Sequence, residues 1–338
     1  MPWKGEKNPY KIWLSEIILQ QTRVEQGVEY YKRFLEAFPT VQDLARAPQQ
    51  KVFKYWEGLG YYNRCRNLIE TAKTIAATYK GQFPSTYAEI RQLKGIGPYT
   101  AAAIASFAFD LPHAVVDGNV ERVLARYFGI STPVDTSAGK KLYTELAGSL
   151  LPAKQPGNYN QGIMDFGAVI CKPRNPKCTI CIQRKDCQAY RHGWTDSLPV
   201  KGKAGAKRRR WLNYFILETK EDKVYIRQRK GKDIWEGLYE FVLWETEQPI
   251  REDEILQSAF VREVFGKHSL TVRHISKTYR QELSHQTIQG RFITIRPEKP
   301  LANLKGYLAV DKRDLPEYAF PKFINAWLLD PSPVQSLF

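Results

Sequence analysis

The sequence predicts an all-α domain followed by a smaller α+β domain. At 338 residues the chain is long enough for two domains, each with its own core. In the first half, apolar side chains recur at helical intervals, for example between Ile12 and Gln20. From Trp211 onward, short β-branched or aromatic runs bounded by charged turns predict strands at 213–217, 224–226 and 292–295. A helical pattern from Glu252 to Phe265 interrupts these strands.

Positive charge is concentrated in the first half and in a short segment between the two predicted domains. The chain has 51 Lys and Arg against 35 Asp and Glu, a formal net charge of +16. Residues 1–200 carry +9, residues 201–210 add +6 with no acidic residue, and residues 211–338 carry +1. We therefore expect domains at 1–194 and 211–338, a basic linker at 195–210, and a polyanionic partner.

Nothing in the sequence indicates a membrane or a secreted protein. No apolar run approaches the ~20 residues that a membrane span needs, and residues 1–7 do not resemble a secretory signal. We expect a location inside the cell, cytoplasmic and beside the nucleoid if the source is bacterial, and no membrane partner.

Four cysteines close the first half of the chain at the spacing C-x6-C-x2-C-x5-C: Cys171, Cys178, Cys181 and Cys187. Soft thiolates this close together can ligate one metal centre. Disulfides are disfavoured without a secretory signal. Structural zinc usually uses paired C-x2-C knuckles, of which this chain has one. The spacing fits zinc or an iron–sulfur cluster, with the cluster favoured. Cys65 is predicted to be an isolated thiol.

Residues 93–101, LKGIGPYTA, predict a tight turn between two helices. Apolar residues precede the turn at helical spacing, and Pro98 is typical of the first turn of a helix. We expect Gly95 and Gly97 to adopt left-handed conformations and to expose main-chain N–H groups that bind a DNA phosphate. An ordinary tight turn is the alternative for a single G-x-G. The alanine-rich helix that follows and the surrounding positive charge favour DNA binding.

Taken in order, these motifs resemble the endonuclease III superfamily of DNA glycosylases. The match runs from LKGIGPYTA through VDGNV at 116–120 to the four cysteines. Within the superfamily, WLSEIILQQT at 13–22 and EGLGYY at 57–62 are similar to the adenine DNA glycosylases of the MutY family. The resemblance covers nearly the whole chain. It implies an all-α helix-hairpin-helix glycosylase domain, a [4Fe–4S] cluster loop at 171–187, and removal of adenine mispaired with 8-oxoguanine.

Cleavage of an N-glycosidic bond needs a protonated leaving base and a stabilised sugar cation, and two carboxylates in different environments usually provide both. By resemblance, Glu16 protonates the adenine and later activates water, while Asp117 lies beside the sugar with Asn119 and Tyr99. The residues alone leave alternatives open. Glu16 has apolar neighbours that favour its protonated form, but it is also typical of an exposed helical glutamate. Asp117 is also typical of a helix N-cap.

Tyr99 distinguishes two kinds of glycosylase. Bifunctional relatives carry a lysine at this position, and its amine forms a Schiff base with the sugar before the strand is cleaved. A phenol cannot form this intermediate, so Tyr99 predicts a monofunctional enzyme. Lys94 precedes the turn, and we do not assign it the role of that lysine.

Further residues match DNA-contacting and pocket positions of the family. The segment Gln20, Gln21 and Thr22 matches residues that fill the gap left by the extruded base, and Tyr61 matches a residue wedged beside 8-oxoguanine. Local packing is the alternative for both. Trp3 matches the tryptophan of the adenine pocket. Lys4 stands where many members have arginine, and an ammonium group cannot reproduce the bidentate guanidinium fork.

The last module resembles a Nudix-like fold, beginning with WEGLYEF at 235–241. Arg262 and Glu263 begin a Nudix-type cluster, but the glutamate pair that would hold magnesium is absent, so we expect no diphosphate hydrolysis. In the MutY family this module reads 8-oxoguanine with a Phe-Ser-His hairpin. This chain retains Ser284 and His285 and has Leu283 in place of the aromatic residue. A polar hairpin tip without a partner is the alternative.

The sequence therefore predicts a monomeric, monofunctional adenine DNA glycosylase that acts on duplex DNA with A:8-oxoguanine or A:G mispairs. A mismatch thymine glycosylase of the same superfamily is the nearest alternative, and Gln20, Gln21 and the last module argue against it. A non-catalytic lesion-binding protein is a second alternative. It needs neither Glu16 nor Asp117, so the presence of both argues against it.

Overall fold

The structure is a computed structural model that describes residues 4–202, 207–266, 268–298 and 304–331. The chain forms two compact units: residues 4–47 with 66–202, and residues 48–65 with the described residues from 207 onward. The first unit is helical, and the strands lie in the second, so the predicted order of an α domain before an α+β domain is confirmed. The exact bounds 1–194, 195–210 and 211–338 stay a prediction. Among the described residues, no helix combines the length and apolar character of a membrane span.

The helical half of the chain consists of short helices with ordinary caps. At α3, for example, Thr40 and Asp43 form a capping box in which each side chain accepts a hydrogen bond from the other's main chain. Helix α4 and the first turn of α5 belong to the second unit. The helices are α1 Pro9–Leu19, α2 Val24–Ala37, α3 Val41–Arg46, α4 Gln49–Trp56, α5 Asn63–Thr78, α6 Tyr87–Gln92, α7 Pro98–Phe109, α8 Gly118–Phe128, α9 Ser137–Leu150, α10 Pro156–Val169 and α11 Gln188–Arg191.

Helix α1 lies in the interior of the first unit. Asn8 caps it through two main-chain N–H groups, Pro9 occupies its first turn, and every residue from Ile12 to Ile18 is buried. Because the helix presents no wet face along this stretch, its polar side chains need internal partners. The hydroxyl of Ser15, for instance, donates to the carbonyl of Ile12 at 2.8 Å. Glu16 is therefore an interior residue rather than a surface one.

The predicted helix-hairpin-helix is formed by α6 and α7. Gly95 has a φ of +75°, and a Cβ at this position would lie 2.6 Å from the Cβ of Asn67, so both conformation and space demand glycine. The prediction of a left-handed conformation was wrong for Gly97, whose φ is −80°. Gly97 is the N-cap of α7, and that position requires extended backbone before Pro98 starts the helix.

The second unit contains a mixed five-stranded sheet and a three-stranded sheet. The larger sheet has the order β4-β1-β7-β5, and β6 also pairs with β7. Strands β1 and β7 run parallel, whereas the other pairs are antiparallel. The smaller sheet has the order β3-β2-β8. The strands are β1 Arg208–Leu217, β2 Lys223–Gln228, β3 Tyr239–Glu240, β4 Val242–Thr246, β5 Leu270–Ile275, β6 Tyr279–Glu282, β7 Gln286–Pro297 and β8 Leu308–Asp311.

A helix covers each face of the larger sheet. Successive residues of a strand point to opposite faces. Phe215 accordingly packs with Phe265 of α12 (Ala259–Phe265), while Phe292 stacks on Trp327 of α13 (Lys322–Leu328). The prediction that the first of these helices starts at Glu252 was wrong. It begins at Ala259 because the hydroxyl of Ser258 accepts from the N–H of Val261 and caps it there.

Residues 48–65 pack against the strands and loops of the second unit. The main-chain N–H of Phe320 donates to the Glu57 carboxylate at 2.9 Å, and the Lys54 ammonium donates to the carbonyl of Tyr318 at 3.2 Å. The ring of Phe53 lies close to Gly237, where a Cβ would approach within 3.0 Å. These contacts join a helix from the first half of the sequence to the α+β unit.

Candidate active site

A cavity of about 440 Å³ lies between α1, α7, α8 and α10 in the first unit. Its wall includes both predicted catalytic carboxylates, Glu16 and Asp117, together with Tyr99 and Asn119. The fold therefore brings together four predicted residues from three separate segments of the sequence. The other polar residues of the wall are Glu6, Lys7, Ser15, Gln20, Thr22, Asn158, Gln161 and Asp165.

Glu16 has an environment suited to a proton donor. Its side chain is 9% exposed. Burial raises the pKa of its carboxyl to about 7, the nearby Asp117 carboxylate adds to this rise, and a hydrogen bond with Tyr99 opposes it. Near neutral pH a large fraction of Glu16 is thus a carboxylic acid. The alternative of a glutamate on an exposed helix face is excluded.

Tyr99, in the first turn of α7, interacts with both carboxylates: it forms a hydrogen bond with Glu16 and is close enough to Asp117 to be affected by its charge. Burial, the charge of Glu16 and the hydrogen bond to Glu16 raise the pKa of the phenol well above its usual value. The hydroxyl of Tyr99 therefore remains protonated and able to donate. The wall at this position presents a phenol, which cannot form an imine with an aldehyde.

Asp117 is both the N-cap of α8 and a wall residue of the cavity. Its Oδ1 accepts from the N–H groups of Asn119 and Val120 at 2.8 Å each. Its Oδ2 accepts from Asn119 Nδ2 at 2.7 Å. These three hydrogen bonds fix the orientation of the carboxylate at the start of the helix. The predicted cap and a chemical role are compatible, because the capped carboxylate still borders the cavity.

Arg122, to which the sequence analysis assigned no role, holds Asn119 in place. Its Nη2 donates to Asn119 Oδ1 at 2.9 Å and to the carbonyl of Gly167 at 2.8 Å. Its Nε donates to the carbonyl of Cys171 at 2.7 Å. Gly167 lets α10 approach α8, since a Cβ there would lie 2.7 Å from the Cβ of Asn119. Arg122 lies two residues after the quoted motif VDGNV at 116–120, and that motif says nothing of its partners.

Helix α10 supplies wall residues that the sequence analysis missed. Gln161 donates to Asp165 at 3.0 Å, one turn along the helix, and both border the cavity. The Lys4 ammonium lies 2.6 Å from the Asp165 carboxylate, although Lys4 itself is not part of the wall. No sequence motif includes Gln161 or Asp165. Their spacing of four residues, which places them on one face of a helix, was the only indication that they act together. Trp3, the other predicted pocket residue, lies outside the described residues.

The predicted segment Gln20, Gln21 and Thr22 begins where α1 ends. Gln20 is the C-cap of α1, and its amide donates to the hydroxyl of Thr100 at 3.3 Å. Gln21 is exposed and has a φ of +56°, which is unusual for a residue other than glycine. Gln20 and Thr22 border the cavity, whereas Gln21 points elsewhere on the surface. The segment thus forms one edge of the site.

The four predicted metal ligands line a second, small cavity of about 40 Å³ in the first unit. Cys171, Cys178, Cys181 and Cys187 are all free thiols. Within the described ranges, no three His, Cys, Asp or Glu side chains converge closely enough to hold one metal ion. The four cysteines nevertheless border one shared space. Arg126 Nη1 donates to the sulfur of Cys171 at 3.4 Å, which places a positive charge beside the thiols.

Tyr61, in the second unit, is held by a stack of side chains. It has a φ of +48° and is 46% exposed. The guanidinium of Arg64 lies 5.4 Å from the Tyr61 ring centroid and 5.2 Å from that of the buried Trp56. Trp56 and Arg64 also donate to the carbonyl of Gly60, at 3.0 and 3.4 Å. The unusual backbone and the cation–π contacts fix an aromatic ring at the surface.

Ser284 and His285 lie at the exposed tip of the hairpin that joins β6 to β7. Ser284 Oγ is 3.1 Å from His285 Nδ1, and the main-chain N–H of Leu283 donates to Gln286 at 2.8 Å, closing the hairpin. Leu283 is half-buried at its base. The two predicted polar residues are therefore available to a partner.

Known proteins support the assignment of both units. Residues 14–147 match the HhH-GPD superfamily of base excision DNA repair proteins, and residues 213–329 match the NUDIX domain. The helix-hairpin-helix and the acidic cavity thus define a DNA glycosylase of the HhH-GPD superfamily, here joined to a Nudix-like domain. Among solved structures, a thermostable thymine-DNA glycosylase aligns with a TM-score of 0.53 and 35% identity, covering 56% of this chain and 88% of that chain.

Relatives that match most of the chain identify the family within this superfamily. The adenine DNA glycosylase of Buchnera aphidicola subsp. Baizongia pistaciae is 34% identical over 290 residues, which cover 85% of this chain and 79% of the relative. The adenine DNA glycosylase of Buchnera aphidicola subsp. Acyrthosiphon pisum is 38% identical over 71% of this chain and 69% of the relative. The chain belongs to the MutY family of adenine DNA glycosylases.

Proposed function

We propose that this protein is a monofunctional glycosylase that removes adenine mispaired with 8-oxoguanine, and more slowly adenine opposite guanine, from duplex DNA. The observation that carries the proposal is the pair of unlike carboxylates in one cavity. Glu16 is buried with a pKa of about 7, whereas Asp117 is held at a helix N-terminus by three hydrogen bonds. Such a pair divides the work of acid and cation stabiliser between two residues.

The chemistry follows from the positions of these groups. A base extruded from the duplex enters the cavity, because its glycosidic bond is out of reach inside the helix stack. Glu16 transfers its proton to the ring of the departing adenine, and Asp117 stabilises the positive charge that develops on the sugar. Glu16, now a carboxylate, takes a proton from the water that attacks C1′. Tyr99 holds the Glu16 carboxyl through a hydrogen bond and offers no amine, so the strand stays intact.

Recognition of the mispair is divided between surface elements. We assign the helix-hairpin-helix N–H groups near Gly95 and Gly97 to a backbone phosphate. Gln20, Gln21 and Thr22 would occupy the space that the extruded base leaves, with Tyr61 wedged into the stack. Ser284 and His285 would contact 8-oxoguanine. Trp3 and Lys4 complete the proposed adenine pocket, and the ion pair of Lys4 with Asp165 supports a place for Lys4 at its rim.

The donor set at 171–187 fits a [4Fe–4S] cluster. Four cysteines that line one shared cavity are a ligand set for a polynuclear centre. Cys171, Cys178, Cys181 and Cys187 would ligate its four irons, and Arg126 would balance the negative charge of the thiolates. The group would supply structural cohesion to the loop, since four protein ligands leave no open position for substrate. We propose that the protein acts as a monomer.

The sharpest test is single-turnover excision on four duplexes that contain A:8-oxoguanine, A:G, A:C or T:G. We expect fast loss of adenine opposite 8-oxoguanine, slower loss opposite guanine, and strand breaks only after alkali treatment. Activity confined to T:G would assign the protein to the alternative suggested by its thymine-glycosylase neighbour. Equal rates on A:8-oxoguanine and A:G would exclude lesion reading by the hairpin.

A further inference from the structure

The basic linker predicted from the sequence contains arginines with very different surroundings. Arg210 is 6% exposed, and it donates to Glu245 at 2.7 Å and to Asp233 at 2.8 Å, so its charge is used inside the second unit. Arg208 lies 3.7 Å from Glu245. Arg209 is exposed and, in the part of the chain that the structure describes, has no carboxylate partner. Of these three arginines, Arg209 is thus the one whose charge is most available to a partner.

Arg209 shares one face of the sheet with other charged residues. The parallel pairing of β1 with β7 places Arg209 beside Thr287, and β6 places Glu282 on the other side of Thr287. Directly paired residues point to the same face of a sheet. On this face Lys207 and Arg280 both bind Glu282, at 3.0 and 2.7 Å. Two cations are therefore paired with Glu282, while Arg209 lies on the same face without such a pair.

We call Lys207, Arg209 and Arg280 the basic face. It adjoins the tip of the hairpin, because the main-chain N–H of Arg208 donates to the carbonyl of His285 at 3.1 Å. The first residue of β1 is therefore tied directly to one of the two exposed polar residues of the tip. Glu282 is already occupied by Lys207, Arg280 and the hydroxyl of Thr287, which leaves the guanidinium of Arg209 unneutralised.

We infer that the basic face binds backbone phosphates of duplex DNA beside the base that Ser284 and His285 contact. This inference rests on the proposed function and extends it to a second surface. The planar fork of an arginine matches the oxygens of a phosphate. Phosphate contacts position a protein on the duplex without carrying sequence information, whereas contacts to bases discriminate. The hairpin tip selects the lesion, and the basic face holds the tip against the strand.

The test is the salt dependence of binding by the full-length Arg209→Gln variant. Fluorescence anisotropy would compare an A:8-oxoguanine duplex with an undamaged duplex between about 50 and 200 mM salt. Loss of one phosphate contact should make the slope of log Kd against log salt shallower by about 1. Affinity should fall severalfold on both duplexes. The single-turnover rate at saturating enzyme and the preference for 8-oxoguanine over guanine should be unchanged.

Two variants serve as controls. Arg209→Lys retains the charge and should keep the wild-type slope. Arg313→Gln removes the same charge from a side chain that is 84% exposed beside the smaller sheet, and it should bind like wild type. An unchanged slope in Arg209→Gln, or the same loss in Arg313→Gln, would overturn the inference. So would a selective loss of 8-oxoguanine preference, because it would assign Arg209 to base reading. Binding to undamaged DNA tests the surface even if the wild-type protein excises no adenine.

Discussion

Arg122 connects the catalytic side of the cavity to the cysteine loop: its Nε donates to the carbonyl of Cys171 at 2.7 Å while its Nη2 donates to Asn119 at 2.9 Å. Asn119 in turn donates to Asp117. The orientation of Asp117, the proposed cation stabiliser, therefore depends on a buried guanidinium that also fixes the main chain of a predicted metal ligand. Arg122 itself is buried, at 7% exposure.

Replacement of Arg122 with Met should weaken the support of both Asn119 and the main chain at Cys171. The variant leaves four oxygen acceptors without their donor, which should cost about 3 kcal/mol in the free energy of unfolding. Denaturant unfolding would measure this loss. Single-turnover excision by the protein that remains folded should also slow, because Asn119 loses its support. Arg122→Lys keeps the charge but can form fewer hydrogen bonds, so its free energy of unfolding should lie between those of the wild type and the Met variant. A Met variant as stable as wild type would contradict the role of Arg122.

The Glu16→Gln variant should lose excision and keep DNA binding. An amide of the same shape cannot donate the proton that the leaving adenine requires, so the single-turnover rate should fall by at least about 100-fold. Affinity for an A:8-oxoguanine duplex, measured by anisotropy, should stay close to wild type. A residual rate within tenfold of wild type would exclude Glu16 as the acid.

The rate of excision should decline as pH rises through 7. Glu16 acts in its protonated form and its pKa is about 7, so the single-turnover rate should fall about tenfold per unit at higher pH. The hydrogen bond from Tyr99 stabilises the carboxylate and thereby lowers this pKa. In Tyr99→Phe the bond is absent, and the descending limb of the profile should move to higher pH. A shift toward lower pH would show that Tyr99 affects Glu16 in the opposite sense.

Tyr99→Lys should convert the enzyme toward strand cleavage. The new amine would lie in the wall of the cavity, within reach of the sugar, and could form a Schiff base. Borohydride should trap a covalent protein–DNA complex with this variant and none with Tyr99→Phe. Absence of a trapped complex, in a variant that still binds DNA, would mean that position 99 does not approach C1′.

Cys178→Ser should lose iron and DNA affinity together. The loop between Cys171 and Cys187 has no regular structure beyond one short 3₁₀ turn, so its shape depends on its ligands. Iron content by absorbance and elemental analysis, combined with anisotropy, would measure both losses. Full binding by an iron-free variant would separate the loop from DNA recognition. Cys65→Ser is the matched control, since Cys65 is a buried cysteine that does not belong to the four-cysteine motif.

The sequence predicted an all-α domain followed by an α+β domain. It also predicted the four residues that meet in the cavity, because they lie in motifs that resemble those of a known family. The burial of Glu16 was harder to predict from the sequence, because α1 has no amphipathic pattern that distinguishes a buried face from an exposed one. Gln161 and Asp165 belong to no motif, and they become wall residues only through the packing of α10. The helix proposed from Glu252 was misplaced because the cap at Ser258 outweighs the helical pattern before it.

The membership of residues 48–65 in the second compact unit bears on how this enzyme can be divided or recombined. A chain severed within the basic linker would strip α4 of the main-chain partners at Tyr318 and Phe320. The stretch that contains Tyr61 and its supports Trp56 and Arg64 would lose its packing on the second unit. The helical half of the sequence therefore cannot be transferred as an independent domain. Any graft that exchanges the second unit between relatives must carry two separate stretches of sequence together.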